Sequence, residues 1–145
     1  MTLTNPNSLW RARIAVGLAG ILLLSGCVNT DPPLDTAAGS YTATTFLTTT
    51  GGQTTDHIAA GSTISIVLNP QRTTSGHLHV VAAGGAEGLD ADLTGTWTIA
   101  NTTVELSHPA DTFLRDMLFE FDDGTLVGDD TFDDTRFQIT LTRAD

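Results

Sequence analysis

Lysine is missing from this 145-residue chain, so every fixed side-chain cation is one of six arginines. Against them stand seventeen aspartates and glutamates, for a formal net charge of −11. A surface of that sign repels phosphate backbones and anionic headgroups, which argues against nucleic-acid binding through a basic patch. Cysteine occurs once, at Cys27, so the chain has no pair from which to form an internal disulfide, and its stability must come from packing. Long apolar runs are scarce as well. The longest, Ile14 to Leu24, falls short of the ~20 residues that a helix needs to cross a bilayer core. Catalytic signatures are also lacking: no serine sits in a Gly-x-Ser-x-Gly elbow, and carboxylates gather only in surface-type clusters. Neither an enzyme nor a bound cofactor is expected.

What the chain does contain starts around that apolar run. Arg11 and Arg13 precede it, Ser25 and Gly26 follow it, and Cys27 comes next, in the order of a secretory signal. Leu24-Ser25-Gly26-Cys27 resembles the lipobox of bacterial lipoproteins. The resemblance implies that residues 1–26 are a signal peptide removed on export and that Cys27 carries three acyl chains. Two or more chains give stable membrane attachment, so the expected partner here is the membrane itself, through the lipid anchor. Val28 stands where aspartate would alter sorting, which implies the outer membrane of a bacterial envelope, facing the periplasm. Residues 27–38 carry Pro32 and Pro33 without periodic apolar positions and read as a tether, reaching at most ~3.5 Å per residue.

From Gly39 to Asp145 the composition shifts to threonine, glycine and β-branched residues, with apolar positions recurring at every second residue. That period is the mark of half-buried strands. Strands are expected over Gly39–Thr49, Ser62–Leu68, Thr74–Val81, Asp92–Ile99, Thr103–Ser107, Met117–Phe121, Thr125–Phe132 and Thr135–Thr142. Turns fall at Gly51-Gly52, Asn69 to Arg72, Asn101 and Asp122-Asp123-Gly124, with a loop around Gly84-Gly85 and Glu87-Gly88. Residues 109–115 break the alternation and predict a short helical turn, with Asp111 or Thr112 as its cap. About eight strands at this spacing predict an all-β antiparallel meander barrel, with a β-sandwich as the alternative.

Gly39-Ser40-Tyr41-Thr42 and Gly95-Thr96-Trp97-Thr98 match as a faint internal repeat, each followed by a hairpin whose second arm carries a glycine, Gly76 or Gly128. Gly95-Thr96-Trp97 resembles the Gly-x-Trp strand motif of lipocalins, which that family carries on its first strand, where this chain has Tyr41. The resemblance covers Gly39 to Asp145. It implies a closed barrel that takes an apolar small molecule into its mouth as a noncatalytic binding module. Tyr41, Ile64, Ile66, Trp97, Ile99, Phe119, Phe121, Phe137 and Ile139 are the candidate lining of such a cavity or of a filled core. An eight-stranded barrel has room for either. The alternative is therefore a plugged barrel acting through its outer surface as an envelope interaction or inhibitor module.

Three further groups carry the residue types of a site. His77 and His79 share one strand face, the spacing a metal site needs, but no third ligand is specified. Asp122, Asp123, Asp129, Asp130, Asp133 and Asp134 supply oxygen ligands without the loop glycine of an EF-hand, and read better as solvated hairpin ends. Asp56-His57 has two of the three members of a catalytic triad and lacks the nucleophile.

Overall fold

The computed structural model describes residues 34–83 and 87–144. The expected signal segment, Cys27, the first part of the expected tether, and Gly84-Gly85 lie outside them. Two short helices, α1 (Leu34–Ala37) and α2 (Phe113–Asp116), accompany ten strands among the described residues. These are β1 (Gly39–Thr50), β2 (Gln53–Asp56), β3 (Thr63–Leu68), β4 (Thr73–Val80), β5 (Leu89–Asp92), β6 (Gly95–Ala100), β7 (Thr103–Ser107), β8 (Leu118–Asp122), β9 (Thr125–Phe132) and β10 (Thr135–Arg143). All pairings are antiparallel, and β10 pairs back onto β1 from Tyr41↔Arg143 to Thr50↔Thr135, which shuts the sheet into a barrel. Closure removes the free sheet edges that a sandwich of this size would leave.

Ten strands occupy eight positions because two positions are each filled by a broken strand. β2 and β3 both pair with β1, at Leu47–Thr50 and Gly39–Thr42 respectively. β5 and β6 both pair with β4, at His77–Val80 and Thr73–Thr74. β2 and all of β5 but Asp92 fall outside the strands expected from the sequence. Gly51 and Gly52 both adopt positive φ, so the chain turns back at once and β2 forms instead of ending the sheet. The break before β6 is local polar chemistry: the Asp92 carboxylate accepts the Thr94 amide at 2.7 Å, and the buried Thr74 hydroxyl donates to the Leu93 carbonyl at 2.7 Å. Thus Asp92–Ile99 is two strands, not one.

Alternation then fills the interior. Ile64, Ile66 and Leu68 of β3 are buried, as are Trp97 and Ile99 of β6, Val104 and Leu106 of β7, Phe119 and Phe121 of β8, and Ile139 and Leu141 of β10. Each large apolar side chain so buried contributes about 2 kcal/mol of transfer free energy. In β1 the alternation skips a beat. Thr44 is an extra residue between the Ala43↔Leu141 and Thr45↔Thr140 pairs, a bulge whose hydroxyl lies 3.1 Å from that of Thr142. Strict alternation from Tyr41 would point Thr45 and Leu47 inward; after the bulge, Phe46 is buried instead.

One end of the barrel is closed. It holds α1, the β3–β4, β6–β7 and β8–β9 turns, and the end of β10. Ala37 is fully buried there, so the stretch expected as tether is packed by its last residues. The Tyr41 hydroxyl donates to the Ala37 carbonyl at 2.7 Å, and Arg143 bonds both the Tyr41 oxygen and the Thr36 carbonyl, its guanidinium 5.5 Å from the Tyr41 ring centroid. Burial pushes the Tyr41 hydroxyl above its ordinary pKa, against the pull of Arg143. Trp97 repeats the arrangement: its indole donates to the Asn69 carbonyl at 2.9 Å and Arg72 lies 5.8 Å from its ring. The two glycine-x-aromatic copies therefore serve as matching anchors, each aromatic beneath an arginine.

Candidate functional site: a cavity at the open end

The opposite end carries the β1–β2 turn, the connections after β2, β4 and β7, and the β9–β10 turn. It opens into a cavity of ≈ 670 Å³. Phe46, Val80, Leu89, Phe113 and Phe137 supply its apolar wall, and Thr48, Thr50, Thr54, Thr55, Thr135 and Gln53 its polar rim. An apolar wall with a few convergent polar groups is the usual make-up of a small-molecule site.

The aromatic part of the wall is continuous. His57 stacks on Phe46 with centroids 4.4 Å apart, Phe46 meets Phe113 at 5.4 Å, Phe113 stacks on Phe137 at 4.8 Å, and Phe137 meets Phe132 at 5.8 Å. Four separate elements supply these rings. Phe46 comes from beyond the β1 bulge, His57 from the β2–β3 connection, Phe113 from the first residue of α2, and Phe132 and Phe137 from the β9–β10 hairpin. Leu114, next to Phe113, is fully buried and pins α2 against the barrel.

α2 spans Phe113–Asp116, at the late edge of the interval expected to be helical. Thr112 occupies the N-cap position but makes no side-chain cap. Its hydroxyl is 2.7 Å from His108 Nε2, so it satisfies a buried imidazole instead of the helix amides. His108 in turn packs on Gly95, where a Cβ would meet the Ser107 carbonyl oxygen at 2.0 Å and His108 Cα at 2.9 Å.

His57 is buried at the cavity wall with Nε2 2.9 Å from the Thr48 hydroxyl. Burial lowers its pKa and Asp56 opposes that shift, leaving the ring neutral near pH 7. The Asp56 carboxylate accepts the Ala59 amide at 3.0 Å, which braces the connection, while His57 Nδ1 has no hydrogen-bond partner. The acid that orients a catalytic imidazole is therefore not in place at this histidine.

Charge around the cavity is one-sided. Among the described residues, Glu87 belongs to the lining and no arginine does. Asp130 shares the inward parity of Leu126, Gly128 and Phe132, is half-buried and pairs in register with Phe137. The two arginines nearest this end are engaged elsewhere: Arg115 with Asp111 and Asp116, and Arg136 with Asp129. These contacts depress the Asp129 carboxyl through its Arg136 hydrogen bond and raise both guanidinium groups.

Comparison of the chain with family models, curated proteins and solved structures returned no match. What the barrel does is therefore read from its own geometry.

Of the residues named from the sequence as cavity or core lining, Phe137 lines the cavity. Tyr41, Ile64, Ile66, Trp97, Ile99, Phe119, Phe121 and Ile139 are buried in the packed part of the barrel. Cavity and filled core thus coexist, divided along the barrel axis. Phe46, His57, Val80, Leu89 and Phe113 were not among those candidates. His77 and His79 lie on the outer face, where both ring nitrogens approach the same Asp90 oxygen, at 3.1 and 2.9 Å. Their contacts lower the Asp90 pKa. Among the described residues no three potential ligands are arranged to hold a metal ion. Asp123, Asp133 and Asp134 adopt positive φ at hairpin tips, a conformation that aspartate tolerates better than most residues.

Proposed function

We propose that this protein is a lipid-anchored envelope lipoprotein whose barrel is a noncatalytic binding module for an apolar small molecule. One observation carries the reading: the barrel is packed and sealed at the end where the chain enters and open at the other into a cavity walled by aromatic rings. A tether from Cys27 reaches the sealed end at Leu34, so an anchored barrel holds its mouth away from the membrane. Seven residues span at most ~25 Å at ~3.5 Å each, which keeps the domain close to the lipid surface. The outer membrane, on its periplasmic face, is the location that the residues around Cys27 support.

Native mass spectrometry of protein released from its own membrane tests the binding half. A retained organic mass, lost in a Phe46→Asp variant that still folds, is the expected result; repeated recovery of empty protein overturns it. For the anchor, Cys27→Ser should move the protein from the membrane fraction to the soluble one. Unchanged fractionation would remove the lipoprotein reading while leaving the cavity as it stands.

A further inference from the structure

We propose that the cavity selects amphiphiles by the sign of their head group, taking a cationic head at Glu87 and rejecting anionic ones. The inference rests on the binding function above and specifies its ligand class. An apolar tail finds Phe46, Phe113 and Phe137 in the wall, so tail burial sets the base affinity. The head must then be matched by what surrounds the mouth. A carboxylate or phosphate is matched best by a cation, and the described lining supplies no arginine while the chain has no lysine; the threonine hydroxyls and Gln53 there are uncharged donors that leave its charge uncompensated. Arg115 and Arg136 are held by Asp111, Asp116 and Asp129, and Arg72 and Arg143 sit over aromatic rings at the sealed end. An anion entering here would lose its hydration without a counter-charge.

A cationic head meets the reverse situation. Glu87 stands in the lining, exposed, and the ion pairs of Arg115 and Arg136 described above are made with aspartates and not with it. Asp130, half-buried on the inner face, adds a second negative group on the β9 side. The aromatic wall contributes in the same direction, because ring faces attract cations and do so more strongly once water is excluded. Threonine hydroxyls at Thr48, Thr50 and Thr135 can serve a neutral head as donors or acceptors, so uncharged amphiphiles rank between the two.

Equilibrium titration of the purified full-length chain with decyltrimethylammonium, decanol and decanoate tests this, each kept below its micelle concentration. Salt near ~0.15 M shortens the screening length to about 8 Å and suppresses the general field of an acidic protein. The ammonium should bind about tenfold more tightly than decanol, and decanoate about tenfold more weakly. Glu87→Gln should bring the ammonium to within about twofold of decanol, with an unchanged thermal midpoint reporting that the variant is folded. Decanoate binding as well as the ammonium overturns the charge selection but not the binding module. A preference that survives Glu87→Gln removes the role given to that residue. Binding of none of the three overturns the proposed function itself.

Discussion

His57 joins the cavity wall through its stack on Phe46, its hydrogen bond to Thr48 and its own backbone amide, which donates to the Phe46 carbonyl at 2.9 Å. Its titration has a consequence for stability that His108 shares, since burial is the leading cause of a lowered pKa at both. A histidine held neutral by the fold binds fewer protons folded than unfolded just below its ordinary pKa of about 6.5. Its stabilising contribution is complete above that pH and is lost as pH falls through the lowered folded-state value. The thermal midpoint should therefore hold between about pH 8 and 7 and drop between about pH 6.5 and 5. His57→Phe, which preserves an aromatic face against Phe46, should flatten that drop, and the double variant with His108→Phe should flatten it further. An unchanged slope in the double variant would show that neither imidazole is buried neutral. At this scale the sequence showed a histidine beside an aspartate. It could not show that the aspartate would turn away to brace a backbone amide.

Elements divide into those that local chemistry specifies and those that depend on distant partners. β3, β7 and β10 follow from alternation alone, and their buried residues are those that a period of two selects. The glycine and aspartate turns were readable for the same reason, because positive φ restricts which residues fit. α2 is different. Four residues cannot sustain a helix by themselves, and this one persists because Leu114 is buried in the core. Leu114→Ala should therefore cost about 3 kcal/mol in denaturant unfolding, by lost transfer energy and the cavity left behind. Phe113→Ala, at a half-buried position in the cavity wall, should cost about 1 kcal/mol. If the two costs were equal, α2 would be held by its cavity-wall contact and not by its core residue. β2 and β5 likewise exist only against β1 and β4. Four-residue strands carry too little pattern to be distinguished from the loops around them.

Over the whole molecule, the strand path places the long connections after β2, β4 and β7 at one end, and the tight β3–β4, β6–β7 and β8–β9 turns at the other, where the described chain enters at Leu34. Charge acts at this scale too. A net of −11 with no lysine makes self-repulsion a general opponent of the folded state, and the exposed ion pairs at Arg115 and Arg136 offset little of it. Raising salt from ~0.01 M to ~0.15 M cuts the Debye length from about 30 to about 8 Å, which should raise the thermal midpoint by a few degrees. A midpoint that falls over this range would mean that specific pairs, and not repulsion, dominate the electrostatics. The same sparseness of cations is what gives the cavity its expected charge preference.

The sequence by itself determined the acidic, disulfide-free character of the chain, the antiparallel strands and most of their inward faces. Those properties arise from neighbours a few residues apart, where sterics and alternation act directly. Only the tertiary structure decided that one end is packed and the other open, and that Phe46 faces the interior in place of Leu47. A single extra residue at Thr44 reverses the parity of everything after it in β1, and nothing local marks that residue as unpaired. The register is chosen by β10, more than ninety residues away in the chain, through the Tyr41↔Arg143 to Thr50↔Thr135 ladder that closes the barrel.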